Sequence, residues 1–216
     1  MTDKSKQQEL PEEVAAIRKE LKAFYDTPDE NGNRIGSCKC GIYAFYDYDE
    51  EPIYVGQTYE GISSRIGRHL TNQRTDAVAM NVLDPFEVAE VRVWLFQLED
   101  FKLNDKRAFL DKAEFTVFQK LLAESELGAV LNEKPPDETE LVTLPKDYKR
   151  RIIPHDIYPR RKHADVRIAR RASTIANLAR VISERKVQPG LRRTLVTQAQ
   201  RLELLAKRRL SELAGE

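Results

Sequence analysis

Six polar side chains in this chain have types that are physically compatible with one reaction centre: Tyr43, Tyr54, Arg65, His69, Glu114 and Asn132. A phenol or an imidazole can pass a proton, and a guanidinium can hold anionic oxygens through a planar, permanently charged fork. A carboxylate can bind a divalent cation. The elements that must position the first four lie between Cys40 and Asn72. Gly41 to Tyr46 is an apolar, aromatic strand, and Ile53-Tyr54-Val55-Gly56 is the next; the acidic turn Asp47 to Glu51 between them predicts an antiparallel hairpin. That hairpin brings the two tyrosines close together. Gly61 to Gln73 then changes to helical spacing, with Ile62, Ile66 and Leu70 along one side and Arg65 and His69 on the adjacent stripe beside Asn72. A second helix, Asn104 to Ala123, has a broad apolar arc of Leu110, Ala113, Val117, Phe118, Leu121 and Leu122, and Glu114 falls inside it. A carboxylate there must bind a cation, find a basic partner or become protonated.

Gly-Ile-Tyr, ten intervening residues, then Tyr-Val-Gly, followed by a helix carrying Arg65 and His69, resembles the GIY-YIG nuclease superfamily. Glu114 and Asn132 stand where that family has its metal-binding glutamate and a late asparagine. The resemblance covers roughly Cys40 to Pro136, and the Ser64 to His69 segment with Asn132 is most similar to the small restriction endonucleases of the superfamily. Valine replaces isoleucine in the second tripeptide. The resemblance implies hydrolysis of a DNA phosphodiester, with Tyr43 receiving a proton from water in a cationic setting and Arg65 holding nonbridging phosphate oxygens. Glu114 would supply one ligand to Mg2+ or Mn2+. His69 would relay a proton or orient the nucleophile, Tyr54 would bridge water and phosphate, and Asn132 would position the metal or the scissile group.

The chain of 216 residues can bury one sizeable core and a small second unit. It contains no apolar run of membrane-spanning length, and its N-terminus lacks the apolar core of a signal peptide, so a cytoplasmic protein is expected. Cys38 and Cys40, one residue apart, are expected to be reduced thiols. The net charge of +1 conceals an asymmetry: from Lys146 onward there are 19 Lys or Arg against 7 Asp or Glu, and before it 17 against 28. The basic part either attracts a nucleic-acid backbone or neutralises the acidic part, within one protein or across a dimer.

Leu10 to Tyr25 reads as an amphipathic helix packed on the body, and Phe86 to Leu98 as a strand with Val91, Val93 and Leu95 on one side and Trp94 in the core on the other. The expected fold is α/β (α+β), a three-stranded, mainly antiparallel sheet flanked by helices with a C-terminal helical extension. Its organisation is an N-terminal helix and loop over 1–36, a nuclease-like domain over 37–136, a basic proline-containing arm over 137–163 and a basic helical hairpin over 164–216. The expected nucleic-acid contacts are Arg68, Arg150, Arg151, Arg160, Arg161 and Lys162. The function expected is a metal-dependent DNA endonuclease in restriction or other defence against foreign DNA. The C-terminal helices are available for a homodimer or a protein partner. A nuclease subunit of a larger defence or repair complex and a noncatalytic nucleic-acid-binding module are the alternatives.

Overall fold

The structure, a computed structural model, describes residues 12–71, 82–98 and 100–215. Leu10, Asn72 and most of the connection from Arg74 to Leu83 lie outside the described residues. The hairpin forms from β1 (Cys40–Tyr46) and β2 (Pro52–Thr58), antiparallel, with Tyr43 opposite Gly56 and Phe45 opposite Tyr54. On its other side β1 pairs antiparallel with β3 (Glu90–Phe96).

The sheet has four strands, not the three expected. β4 (Asp147–Arg151) adds to β3, and the strand order is β2-β1-β3-β4. Asp-Tyr-Lys-Arg-Arg lacks apolar alternation because it forms an outer strand, where charged side chains face water and discourage further pairing. What reads as an extended basic arm is therefore partly sheet.

Both faces of the sheet are covered, which explains why β1 is apolar throughout and buried at every position. Tyr43, Phe45, Val91 and Val93 meet α1 (Glu12–Tyr25) and α2 (Ile62–Thr71) through Ile17, Leu21, Phe24, Ile62, Ile66 and Leu70. Ile42, Ala44, Tyr46, Trp94 and Phe96 meet α3 (Leu103–Glu124) through Leu110, Ala113, Val117, Phe118 and Leu121. Burying Trp94 to 2 % exposure makes it core, as its strand neighbours predict. After α3 the chain returns along the β2 edge, where the Leu131 N–H donates to the Ile53 carbonyl at 2.7 Å. It then runs along α3, tied by the Val142 N–H to Thr116 Oγ1 at 3.0 Å.

The C-terminal part comprises the short α4 (Tyr158–Lys162) and the hairpin of α5 (Ala164–Glu184) and α6 (Pro189–Ala214). Pro189 and Gly190 open α6 rather than stand before it, since proline at the first helical position leaves no intrahelical donor unmet. Gly190 is required there, because a Cβ would overlap the Glu133 carbonyl.

The charge asymmetry is used inside the molecule. Asp47, in the β1–β2 turn and 4 % exposed, accepts with Oδ2 from Arg167 at 3.1 Å, Arg171 at 2.8 Å and Arg201 at 2.6 Å. Glu87 takes Arg171 at 3.0 Å and Asp49 takes Arg167 at 2.6 Å, so three buried guanidiniums face three carboxylates. Burial alone would raise the Asp47 pKa, but Arg201, Arg167 and Arg171 outweigh it and hold the carboxyl below its usual range. Arg170 pairs with Asp84 beside this cluster, Arg150 pairs with Glu20, and Arg160 and Arg161 both pair with Glu13. No helix among the described residues is long and apolar enough to cross a membrane; Cys38 and Cys40 form no disulfide, and the Cys38 thiol donates to the Cys40 carbonyl at 3.2 Å.

Candidate functional site

Tyr43 points from β1 toward α2 and is fully buried. Its Oη lies 2.8 Å from His69 Nε2 and accepts from Arg65 Nε at 3.3 Å. Arg65 and His69 reach the same phenol because four residues on a helix return a side chain to one stripe. Gly56 makes the approach possible. A Cβ there would come within 2.6 Å of Tyr43 Cζ and closer still to Oη, so the absent side chain at the centre of β2 is the space the phenol occupies. Tyr54 completes an aromatic cluster, its ring stacked on Phe45 at 5.9 Å and 5.4 Å from the His69 ring.

Burial, followed by the neighbouring Tyr54, raises the Tyr43 pKa well above the ordinary phenol range, and Arg65 opposes this only in part. Tyr43 at rest is therefore a neutral phenol. The expectation of a phenol that accepts a proton directly, aided by a nearby cation, is modified by this environment: Arg65 is present, but desolvation outweighs it. His69 Nε2, in hydrogen-bond contact with the hydroxyl, is the group able to take the phenolic proton.

Glu114 lies on α3, half-buried, on the other side of the β2 edge. Gln57 Nε2 donates to Glu114 Oε2 at 3.1 Å and to Asp111 Oδ1 at 2.6 Å, so one amide draws two carboxylates to a common point. Asp111 and Glu114 are three residues apart and share a helix face. Burial raises the Glu114 pKa to about 7, with Asp111 adding to the rise while Gln57 and Arg65 oppose it. A cleft of about 550 Å³ opens beside them, lined by Gln57, Ala108, Asp111, Lys112 and Glu114 on one side and by Lys134 to Thr139 on the other.

That pKa has a measurable consequence. Carboxyl 13C shifts of the cation-free protein should show Glu114 titrating near pH 7 instead of the usual 4.5. Because the folded value is the higher one, the stability linked to this group is complete below the unfolded pKa and lost as pH rises through about 7. A Glu114 titration between pH 4 and 5 would contradict the buried placement.

Asn132 uses both ends of its amide on the β2 backbone: Oδ1 accepts from Val55 N at 3.2 Å and Nδ2 donates to Val55 O at 2.8 Å. Together with the Leu131 N–H on the Ile53 carbonyl it acts as a strand partner for the β2 edge, and it is not among the residues lining the cleft. Arg68 pairs with Glu60 at 3.0 Å. Arg150 and Arg151 belong to β4, at the edge of the sheet opposite β2, and the Arg151 guanidinium lies over the Tyr158 ring at 4.2 Å. Arg160, Arg161 and Lys162 lie on α4, with Lys162 exposed. The structure thus brings together Tyr43, Tyr54, Arg65 and His69 with Glu114 across the strand, and leaves the basic arm away from them.

Two residues of this constellation escape a reading by motif. Asp111 has a signal, its spacing from Glu114, whereas Gln57 has only its place directly after Gly56. Among the described residues no group of three or more His, Cys, Asp or Glu side chains could hold a metal ion. A cation held beside Gln57 would take Glu114 and Asp111 as carboxylate ligands, with water and substrate completing the shell. The convergence of both carboxylates on one N–H donor fits such a site, since those oxygens already share a single electropositive partner. No protein-family model matches the chain, and neither a curated protein nor a solved structure does so.

Proposed function

We propose that this protein is a GIY-YIG-type, magnesium-dependent endonuclease that hydrolyses DNA phosphodiester bonds, acting in restriction or another defence against foreign DNA. The observation that carries the reading is the meeting of Tyr43, His69 and Arg65 over the Gly56 gap, with Glu114 beside the same strand. A nonspecific polar surface has no need to bury a phenol against an imidazole and a guanidinium, nor to place a carboxylate in an apolar helix face.

Arg65 binds the phosphate through its planar guanidinium while Nε stays on Tyr43. Tyr43 takes a proton from the attacking water as its own passes to His69 Nε2, a relay that avoids forming a free buried phenolate. Tyr54 confines the imidazole, and Asn132 keeps β2 straight beneath Gly56 by pairing with Val55. When bound, a magnesium ion held by Glu114 would supply Lewis-acid stabilisation of charge on the phosphate and on the departing oxygen. Gln57 would orient the Glu114 carboxylate for that role and hold Asp111 beside it as a second ligand.

Tyr43→Phe tests the relay, because it retains the ring and removes only the hydroxyl. Initial rates of supercoiled plasmid nicking at saturating magnesium should fall by roughly 10²–10⁴-fold, with DNA binding preserved. Nicking at the wild-type rate by the phenylalanine variant would remove Tyr43 from the chemistry.

A further inference from the structure

The cleft continues past Asp111 toward the start of α3, where Ala108 lines it. Beside that end, Arg107 lies over the Tyr59 ring at 5.0 Å and donates to Tyr59 Oη at 3.2 Å. Tyr59 follows β2 directly, two residues beyond Gln57, while Arg107, Asp111 and Glu114 share one face of α3 at spacings of four and three. The two elements that hold the candidate site therefore also hold this pair.

The pair differs from most arginine contacts of the basic segments, though Arg151 over Tyr158 is similar. Arg68, Arg150, Arg160 and Arg161 each face a carboxylate, whereas among the described residues Arg107 faces the Tyr59 phenol and forms no ion pair. Tyr59 is 39 % exposed, one of few large aromatic side chains left in water. One turn before Arg107, Leu103 extends the same helix face and is also exposed. A partly exposed ring beside a guanidinium has the chemistry to stack a nucleobase and hold the adjoining phosphate.

We propose that Tyr59 and Arg107 form a contact for an unpaired nucleotide at the end of the cleft, with Tyr59 stacking on the base and Arg107 holding its phosphate. The inference rests on the nucleic-acid reading of the site and adds a substrate class to it. A base inside a duplex already has neighbours on both faces, so the ring accepts one from a single strand, a frayed end or a flipped position. Strand engagement along α3 then leads from Arg107 past Asp111 to Glu114.

The test measures binding of a fluorescent oligothymidylate single strand and of a blunt duplex of equal length, by anisotropy, in a Glu114→Ala background that prevents cutting. Tyr59→Ala should weaken single-strand binding about tenfold and Tyr59→Phe less than about twofold, with the duplex nearly unaffected. Arg107→Ala should weaken binding and reduce the salt dependence by about one phosphate contact. Unchanged melting temperatures show that the variants fold, and Tyr59→Leu, which keeps bulk without a π face, repeats the test should Tyr59→Ala fail to fold. Single-strand affinity within about twofold of the parent in Tyr59→Ala or Tyr59→Leu overturns the stacking contact, even where the wild type cuts DNA. Ring-dependent binding by a wild type that cuts nothing supports the contact and overturns the nuclease reading instead. Absence of binding to either oligonucleotide overturns both.

Discussion

Replacing Asp47 with alanine is expected to destabilise the folded protein by about 3–5 kcal/mol, the cost of leaving buried charges without their partner. Native stabilities run to only about 5–15 kcal/mol, so this single change would remove a large share. The geometry explains the size. Asp47 Oδ2 serves Arg167, Arg171 and Arg201 from two helices, while Oδ1 accepts from the Asp49 and Glu51 backbone and shapes the β1–β2 turn. Remaining carboxylates at Asp49 and Glu87 do not replace it, because among the described residues Arg201 forms an ion pair with Asp47 and with neither of them. Urea unfolding of Asp47→Ala and Asp47→Asn measures the loss, and the asparagine, which keeps the turn contacts, should lose less. The folded Asp47 pKa is depressed, so its stabilisation is present above the unfolded value near 3.8 and disappears as pH falls through the lower folded one. The difference between wild type and variant should therefore narrow in acid. A loss below about 1 kcal/mol at neutral pH would mean that the hairpin is held by its apolar contacts and not by this cluster.

Gly56→Ala is expected to reduce cleavage by roughly a hundredfold, the penalty for displacing a reacting group by about 1 Å. The added methyl would enter the volume of Tyr43 Oη and Cζ, and the strand cannot retreat because it is paired with β1 on one side and with Asn132 and Leu131 on the other. Overpacking of this kind also costs about 1–3 kcal/mol of stability. Gly67→Ala is the matched control. Gly67 lies on α2 with nothing within 4 Å of an added Cβ, so alanine should stabilise that helix by about 0.5–1 kcal/mol and leave cleavage unchanged. Thermal melting with initial nicking rates separates the two effects. Full activity in a folded Gly56→Ala variant would show that the phenol need not lie over the strand.

The local elements were legible where periodicity and burial agree. The β1–β2 hairpin, the α2 stripe of Ile62, Ile66 and Leu70, and the arc of α3 are each apolar on the face they bury. β4 was hidden because an edge strand of Lys and Arg carries no alternating apolar signal, only the backbone pairing to β3. The destination of the C-terminal charge was hidden for a related reason. Arg167, Arg171 and Arg201 interrupt apolar helix faces as solvent-facing residues would, and only the fold brings them to Asp47. In the candidate site, Tyr43, Arg65 and His69 follow from strand and helix spacing, whereas the role of Asn132 depends on which backbone its amide meets. Gln57 and Asp111 become visible only when β2 is laid beside α3.

The most direct measurement of the central claim is cleavage of supercoiled plasmid by purified wild-type protein and by Glu114→Ala, each with magnesium or with a chelator, followed by mapping of the ends. Nicking or cutting is expected from the wild type with magnesium alone, and none above background from the variant or with chelator. Cutting that persists in the chelator or in folded Glu114→Ala would contradict the proposed mechanism, and no cutting by folded wild type on diverse DNA would contradict autonomous nuclease activity.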